Sequence, residues 1–119
     1  MVLKAETQPK ALLFVRDLIF SRSLLAEAQA LGQITQNVRS LDALKASLTP
    51  EVSLLLVDLA ASRNELPEIA SIIKGYSQVA LCGFHPHVDK ELAQFAESLG
   101  YKTLHRSKAL AFWREALAK

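Results

Sequence analysis

The chain has 119 residues, of which 50% are hydrophobic and 22% charged, and its formal net charge is +2. That composition supports one domain with a two-sided core and excludes a disordered chain, while the charge is too small for nucleic-acid binding by bulk electrostatics. A single cysteine, Cys82, excludes an internal disulfide and a multi-cysteine zinc site.

No apolar run reaches the ~20 residues of a bilayer span, and Met1-Val2-Leu3-Lys4-Ala5-Glu6 lacks a signal-peptide core. The expectation is one cytoplasmic domain over residues 1–119, with no nucleic-acid and no membrane partner. Residues 1–9 read as a lead-in.

Lys10 to Val15 is a short apolar run and the first predicted strand, ending at Arg16-Asp17. Phe20, Leu24, Leu25, Ala28 and Leu31 then recur at helical spacing, and Gly32 supplies the stop. Gln33 to Val38 alternates weakly and is a second strand. Ser40 caps a short helix carrying Leu41, Leu44 and Leu48, which Pro50 ends. Ser53 to Leu59 follows, with four apolar residues in a row, then Asp58. Such a run, bounded by Thr49-Pro50 and Ser62-Arg63-Asn64, reads as a strand buried on both faces.

Beyond it, Ser62-Arg63-Asn64-Glu65 has the spacing of a capping box, ahead of a helix with Leu66, Ile69, Ile72 and Ile73 inward and Gly75 as its stop. Gln78 to Cys82 is a fourth strand, broken by Gly83. A loop from His85 to Asp89 leads to a helix with Leu92, Phe95, Ala96 and Leu99 on its apolar face, stopped at Gly100. Tyr101 to Leu104 is a fifth strand. Ser107 caps the last helix, which carries Leu110, Phe112, Trp113 and Leu117.

Five strand–helix units in strict alternation imply right-handed crossovers and a parallel sheet. The natural solution is a three-layer α/β sandwich of the flavodoxin-like (βα)5 kind, with strand order 2-1-3-4-5. In that topology Arg16, Asp17, Asp58, Gly83, Phe84, His85, His105 and Arg106 meet at the carboxyl edge of the sheet, where ligands of open α/β sheets bind. Asp58 either braces its loop, as Asp commonly does, or belongs to a site. Asp17 and Asp58 together are paired carboxylates that suit Mg²⁺ or a phosphoryl acceptor.

His85 and His87, with Asp89 nearby, offer a His-x-His metal pair that lacks a clear third ligand beyond Cys82 or His105. The competing reading is that His87 or Asp89 caps the following helix. Cys82 reads as a small core residue. There is no Gly-x-Ser-x-Gly elbow and no glycine-rich phosphate loop.

The five units and the segment Leu54-Leu55-Leu56-Val57-Asp58-Leu59 resemble the receiver domain of bacterial two-component response regulators over roughly residues 10–118. The resemblance implies that Asp58 stands where receivers accept a phosphoryl group. Where they hold Mg²⁺ with an acidic pair, this chain has Arg16-Asp17. Where a Ser or Thr ends strand four, it has Cys82-Gly83-Phe84. Where a Lys ends strand five, it has His105-Arg106-Ser107, with Lys108 further on. The pattern is that of a degenerate, pseudo-receiver-like member. A guanidinium beside Asp17 repels a divalent cation, so Arg16 or Arg106 is expected to ion-pair with Asp58 in its place.

From Lys102 onward there are five basic residues, Lys102, Arg106, Lys108, Arg114 and Lys119, against one acid, Glu115. A solvated helix face accounts for them. Phe112 and Trp113 are adjacent and point about 100° apart, so both cannot face the core equally. The resemblance makes the surface of helix four, strand five and helix five the expected interface, through Lys102, Lys108, Phe112 and Trp113.

The leading expectation is a stand-alone, non-enzymatic signalling module without a cofactor, acting on another signalling protein or on a second copy of itself. The alternative is a working phospho-receiver with Mg²⁺ on Asp17 and Asp58. The third reading is a small-ligand or nucleotide-binding α/β domain using the same edge.

Overall fold

The computed structural model describes residues 9–86 and 89–118. Its elements run β1 (Ala11–Phe14), α1 (Leu18–Ala30), β2 (Thr35–Asn37), α2 (Leu41–Ser47), β3 (Leu54–Asp58), α3 (Leu66–Ile73), β4 (Ala80–His85), α4 (Lys90–Ser98), β5 (Lys102–His105) and α5 (Arg106–Ala118). The five strands form one parallel sheet in the order β2-β1-β3-β4-β5. This is the flavodoxin-like arrangement expected from the alternating pattern. Among the described residues no helix is long and apolar enough to cross a membrane.

Strand side chains alternate between faces, and the central strands are apolar on both, so the sheet carries two cores. On one face Leu12, Phe14, Leu55, Val57 and Leu59 pack with Leu44, Leu66, Ile69, Leu92 and Ala96 from α2, α3 and α4. On the other, Ala11, Leu13, Val15, Leu54, Leu56 and Phe84 pack with Leu24 and Ala28 of α1 and with Ala109, Trp113 and Leu117 of α5. One aromatic ties down each core by its polar tip. The Tyr101 hydroxyl donates to the Leu66 carbonyl at 2.9 Å, and the Trp113 indole N–H donates to the Leu24 carbonyl at 2.8 Å. Both groups would otherwise be buried without a partner, at a cost of ~1–3 kcal/mol.

β2 is short, and a side chain extends its pairing. The Asn37 amide accepts from the Val15 N–H and donates to the Val15 carbonyl, both at 3.0 Å. It thereby stands in for one more residue of backbone ladder just before the chain turns into Arg16-Asp17.

Four local expectations need correction. β4 does not stop at Cys82 but runs through Gly83 to His85. Gly83 is there for room: a Cβ on it would fall 2.3 Å from a methyl carbon of the buried Leu59. The capping box does not form. Ser62 makes no capping hydrogen bond, its buried hydroxyl has no hydrogen-bond partner among the described residues, and a 3₁₀ turn over Arg63–Glu65 leads into α3 instead, with Pro67 in the first turn. α5 starts directly after β5, so the cap falls to His105, whose Nδ1 accepts from the Ser107 N–H at 3.1 Å. Leu31 lies at the end of α1 on the exposed side, while Ser21 takes a buried place on the helix.

Candidate functional site

The carboxyl edge of the sheet collects Arg16 and Asp17 after β1, Asp58 at the end of β3, His85 at the end of β4, and His105 with Arg106 where β5 passes into α5. Asp58 pairs in register with Phe84, and His85 with His105. The expected convergence of these residues from distant parts of the chain is therefore present.

Asp58 is only 8% exposed. Strand alternation puts it on the α1/α5 side, with Leu54 and Leu56. Its Oδ1 accepts a long hydrogen bond, 3.4 Å, from the Ala61 N–H. Burial is the dominant influence on its acidity and pushes its pKa above the ordinary carboxylate value. The Ala61 N–H and the nearby Arg106 charge oppose that shift, and the charge of Asp17 adds to it.

Asp17 is the best-satisfied acid at the edge. One carboxylate oxygen caps α1, accepting from the Phe20 N–H at 3.0 Å. The other accepts from Arg106 Nη2 at 2.7 Å. The helix N–H and then the guanidinium hold its pKa below the usual range. Arg106 is itself fixed, with its guanidinium carbon 4.4 Å from the centre of the Phe20 ring, a cation–π geometry. Phe20 in turn meets Phe84 edge-on at 5.1 Å. A continuous stack, Phe84–Phe20–Arg106–Asp17, thus covers the α1/α5 side of the edge.

The expected guanidinium–Asp58 ion pair is corrected by this geometry. Arg106 spends its short contact on Asp17 and reaches Asp58 only through its field. Arg16 turns the other way and meets Glu65 at 2.6 Å. Glu65 carried no signal in the sequence beyond its place in the supposed capping box, and the 3₁₀ turn is what brings it into reach. Among the described residues, Asp58 has no ion-pair partner.

The alternative reading asks for a Mg²⁺ site here. Such a site needs carboxylate oxygens free to share a hydrated cation, and both oxygens of Asp17 are engaged. No group of three or more His, Cys, Asp or Glu side chains among the described residues is placed to hold a metal ion. His85 and His105 stack edge-to-face, 5.7 Å between ring centres, and His105 Nδ1 is committed to Ser107. His87 lies outside the described residues. Asp89 caps α4, its Oδ1 accepting from the Leu92 N–H at 3.1 Å, as one of the two sequence readings held. Cys82 is a buried core residue whose thiol pKa is raised, chiefly by burial.

The expected interface residues divide. Trp113 is fully buried and hydrogen-bonded inside the α1/α5 core, so it is removed from the candidate surface. Phe112 is half-buried beneath Lys102, whose ammonium lies 5.9 Å from the ring centre. Lys102 and Lys108 are exposed. The large apolar side chains left in solvent beside the charged edge are Leu18, 50% exposed, and Ile19, 81% exposed, in the first turn of α1. Sequence reasoning missed them. Their spacing from Phe20 reads as one apolar patch, and only the position of Asp17 as cap fixes which of the three turns inward.

No family model matches the chain, and the comparisons with curated proteins and with solved structures give no match either.

Proposed function

We propose that this chain is a receiver-like regulatory module that works by binding another protein, with its phosphoryl switch disabled. The observation that carries this reading is the 2.7 Å Arg106–Asp17 ion pair, because it engages the acid that a divalent cation would need. Gly83, Phe84 and His85 add to it: they put no hydroxyl on the last residues of β4, where one would follow an incoming phosphoryl oxygen. The module is not an enzyme in this reading and needs no cofactor. Its partner is another signalling protein, or a second copy of the chain meeting through α5 and β5, where Lys102, Lys108 and Phe112 reach the surface. The exposed Leu18 and Ile19 extend that surface toward the charged edge.

A second reading keeps Asp58 as a working acceptor. The observation in its favour is that the carboxylate sits at the strand end with a backbone N–H aimed at it from Ala61. The two readings separate in one experiment. The protein is incubated with Mg²⁺ and acetyl phosphate and its intact mass is measured beside that of Asp58→Asn. The binding-module reading expects no phosphoryl adduct on either protein. An adduct on the wild type that Asp58→Asn lacks would replace it with the phospho-receiver reading.

A further inference from the structure

The opposite, amino-terminal end of the sheet holds a cavity of about 270 Å³. Its floor is made by the first residues of three adjacent strands, Ala11, Leu54 and Ala80, and α5 walls it with Phe112 and Leu117. Its polar neighbours are nearly all spoken for. The Ser53 N–H and hydroxyl both donate to the Lys10 carbonyl, at 2.8 and 3.3 Å. The Gln33 amide nitrogen donates to the Leu117 carbonyl at 3.3 Å. What is left is Lys10, which among the described residues has no ion-pair partner and no Asp or Glu beside it in the cavity lining.

A mainly apolar cavity whose one charged lining residue, among the described residues, is Lys10 selects a ligand by both features. A neutral hydrocarbon would leave the ammonium unused. A phosphate would call for several convergent donors, such as a helix N-terminus or an arginine fork, and here the Ser53 donors and one Gln33 N–H are already used. We propose that this cavity binds a small amphipathic carboxylate, with its apolar body between the strand ends and α5 and its carboxylate on Lys10. The volume lies at the lower end of ligand pockets, which suits a molecule of about ten non-hydrogen atoms. The site is at the far end of the sheet from Asp58 and does not depend on the reading of that edge.

Octanoate has the required size and charge and is the probe. Isothermal titration of the full chain is expected to show saturable binding at one molecule per chain, with a matching rise in melting temperature. The uncharged 1-octanol should bind about tenfold more weakly, the worth of one charge-assisted contact, and octylammonium more weakly still. Lys10→Gln should bring octanoate down to the level of octanol, whereas Lys10→Arg should retain most of its binding. Ala80→Phe, which puts a ring into the cavity from its floor, should abolish both. Lys10 and Ala80 are exposed, so neither substitution removes a core side chain. No saturable octanoate binding, a stoichiometry above one, equal binding of octylammonium, or wild-type affinity in Lys10→Gln and Ala80→Phe would each overturn the proposal.

Discussion

The two ends of the sheet are built from the same five strands and differ in how their charges are resolved. At the carboxyl end, Arg106 is locked to Asp17 and Arg16 to Glu65, and aromatic rings pack over one of these pairs. At the amino end the polar groups are tied to backbone carbonyls, and one lysine is left over a small apolar cavity. The lesson is that at the edge where α/β folds usually bind ligands the arginines are matched to acids, Arg106 to Asp17 and Arg16 to Glu65, whereas at the other edge Lys10 has no ion pair among the described residues. α5 spans both, with Arg106 at one end and Leu117 at the other. Trp113 anchors it between them.

Removing that anchor should therefore disturb both ends together. Trp113→Ala deletes a fully buried ring and its hydrogen bond to Leu24, and a loss of ~3–5 kcal/mol is expected in denaturant unfolding. A loss below ~1 kcal/mol would mean that α5 is not held through Trp113. Adding a side chain at Gly83, inside β4, is the next largest change. Gly83→Ser drives its Cβ into Leu59, an overpacking that costs ~1–3 kcal/mol. The same substitution in a Leu59→Ala background should cost much less than the sum of the two single changes, because the collision is gone.

Asp58 and Asp17 should then part company with pH. Burial raises the folded-state pKa of Asp58 above the ordinary 3.8, so its carboxyl is better placed protonated than charged. Its contribution is favourable below the unfolded value and is lost as pH rises through the folded value. Asp58→Asn should accordingly melt higher than the wild type near neutrality, and the gap should close as the pH falls toward 3.8. Asp17 has the opposite sign. Its lowered pKa gives a contribution present above 3.8 that is lost as the pH falls through its folded value. An Asp17→Asn variant should thus lose melting temperature near neutrality, and parallel shifts in the two variants would break the contrast.

The smallest effects belong to the ion pairs themselves, whose side chains are partly exposed. Arg106→Gln should cost up to ~1 kcal/mol and Arg16→Gln less, in keeping with surface pairs. Arg106 also stacks on Phe20, and that contact puts it ahead.

The architecture was legible because its signals are local and redundant. The run Leu54-Leu55-Leu56-Val57 marks the central strand, and Gly32 and Gly100 mark helix ends with left-handed backbones, at φ +72° and +102°. What escaped was non-local. Gly83 reads as a break in isolation and is explained only by Leu59, the residue just after the neighbouring strand β3. Arg16 finds Glu65 across 49 residues, and Arg106 finds Asp17 across 89, so no spacing announces either partner. Trp113 and Phe112 could be sorted into core and surface only once the Leu24 carbonyl was in place. The convergence of Asp17, Asp58 and Arg106 followed from topology, but how they pair did not.

The most direct measurement is a Mg²⁺ titration followed by NMR of the Asp17 and Asp58 side-chain carboxyl carbons, in the wild type and in Arg106→Gln. If the arginine occupies the cation's place, the wild-type signals stay still at millimolar Mg²⁺ and those of Arg106→Gln move. Saturating shifts of both aspartates in the wild type, unchanged by removing Arg106, would contradict the view that this edge is closed by its own guanidinium.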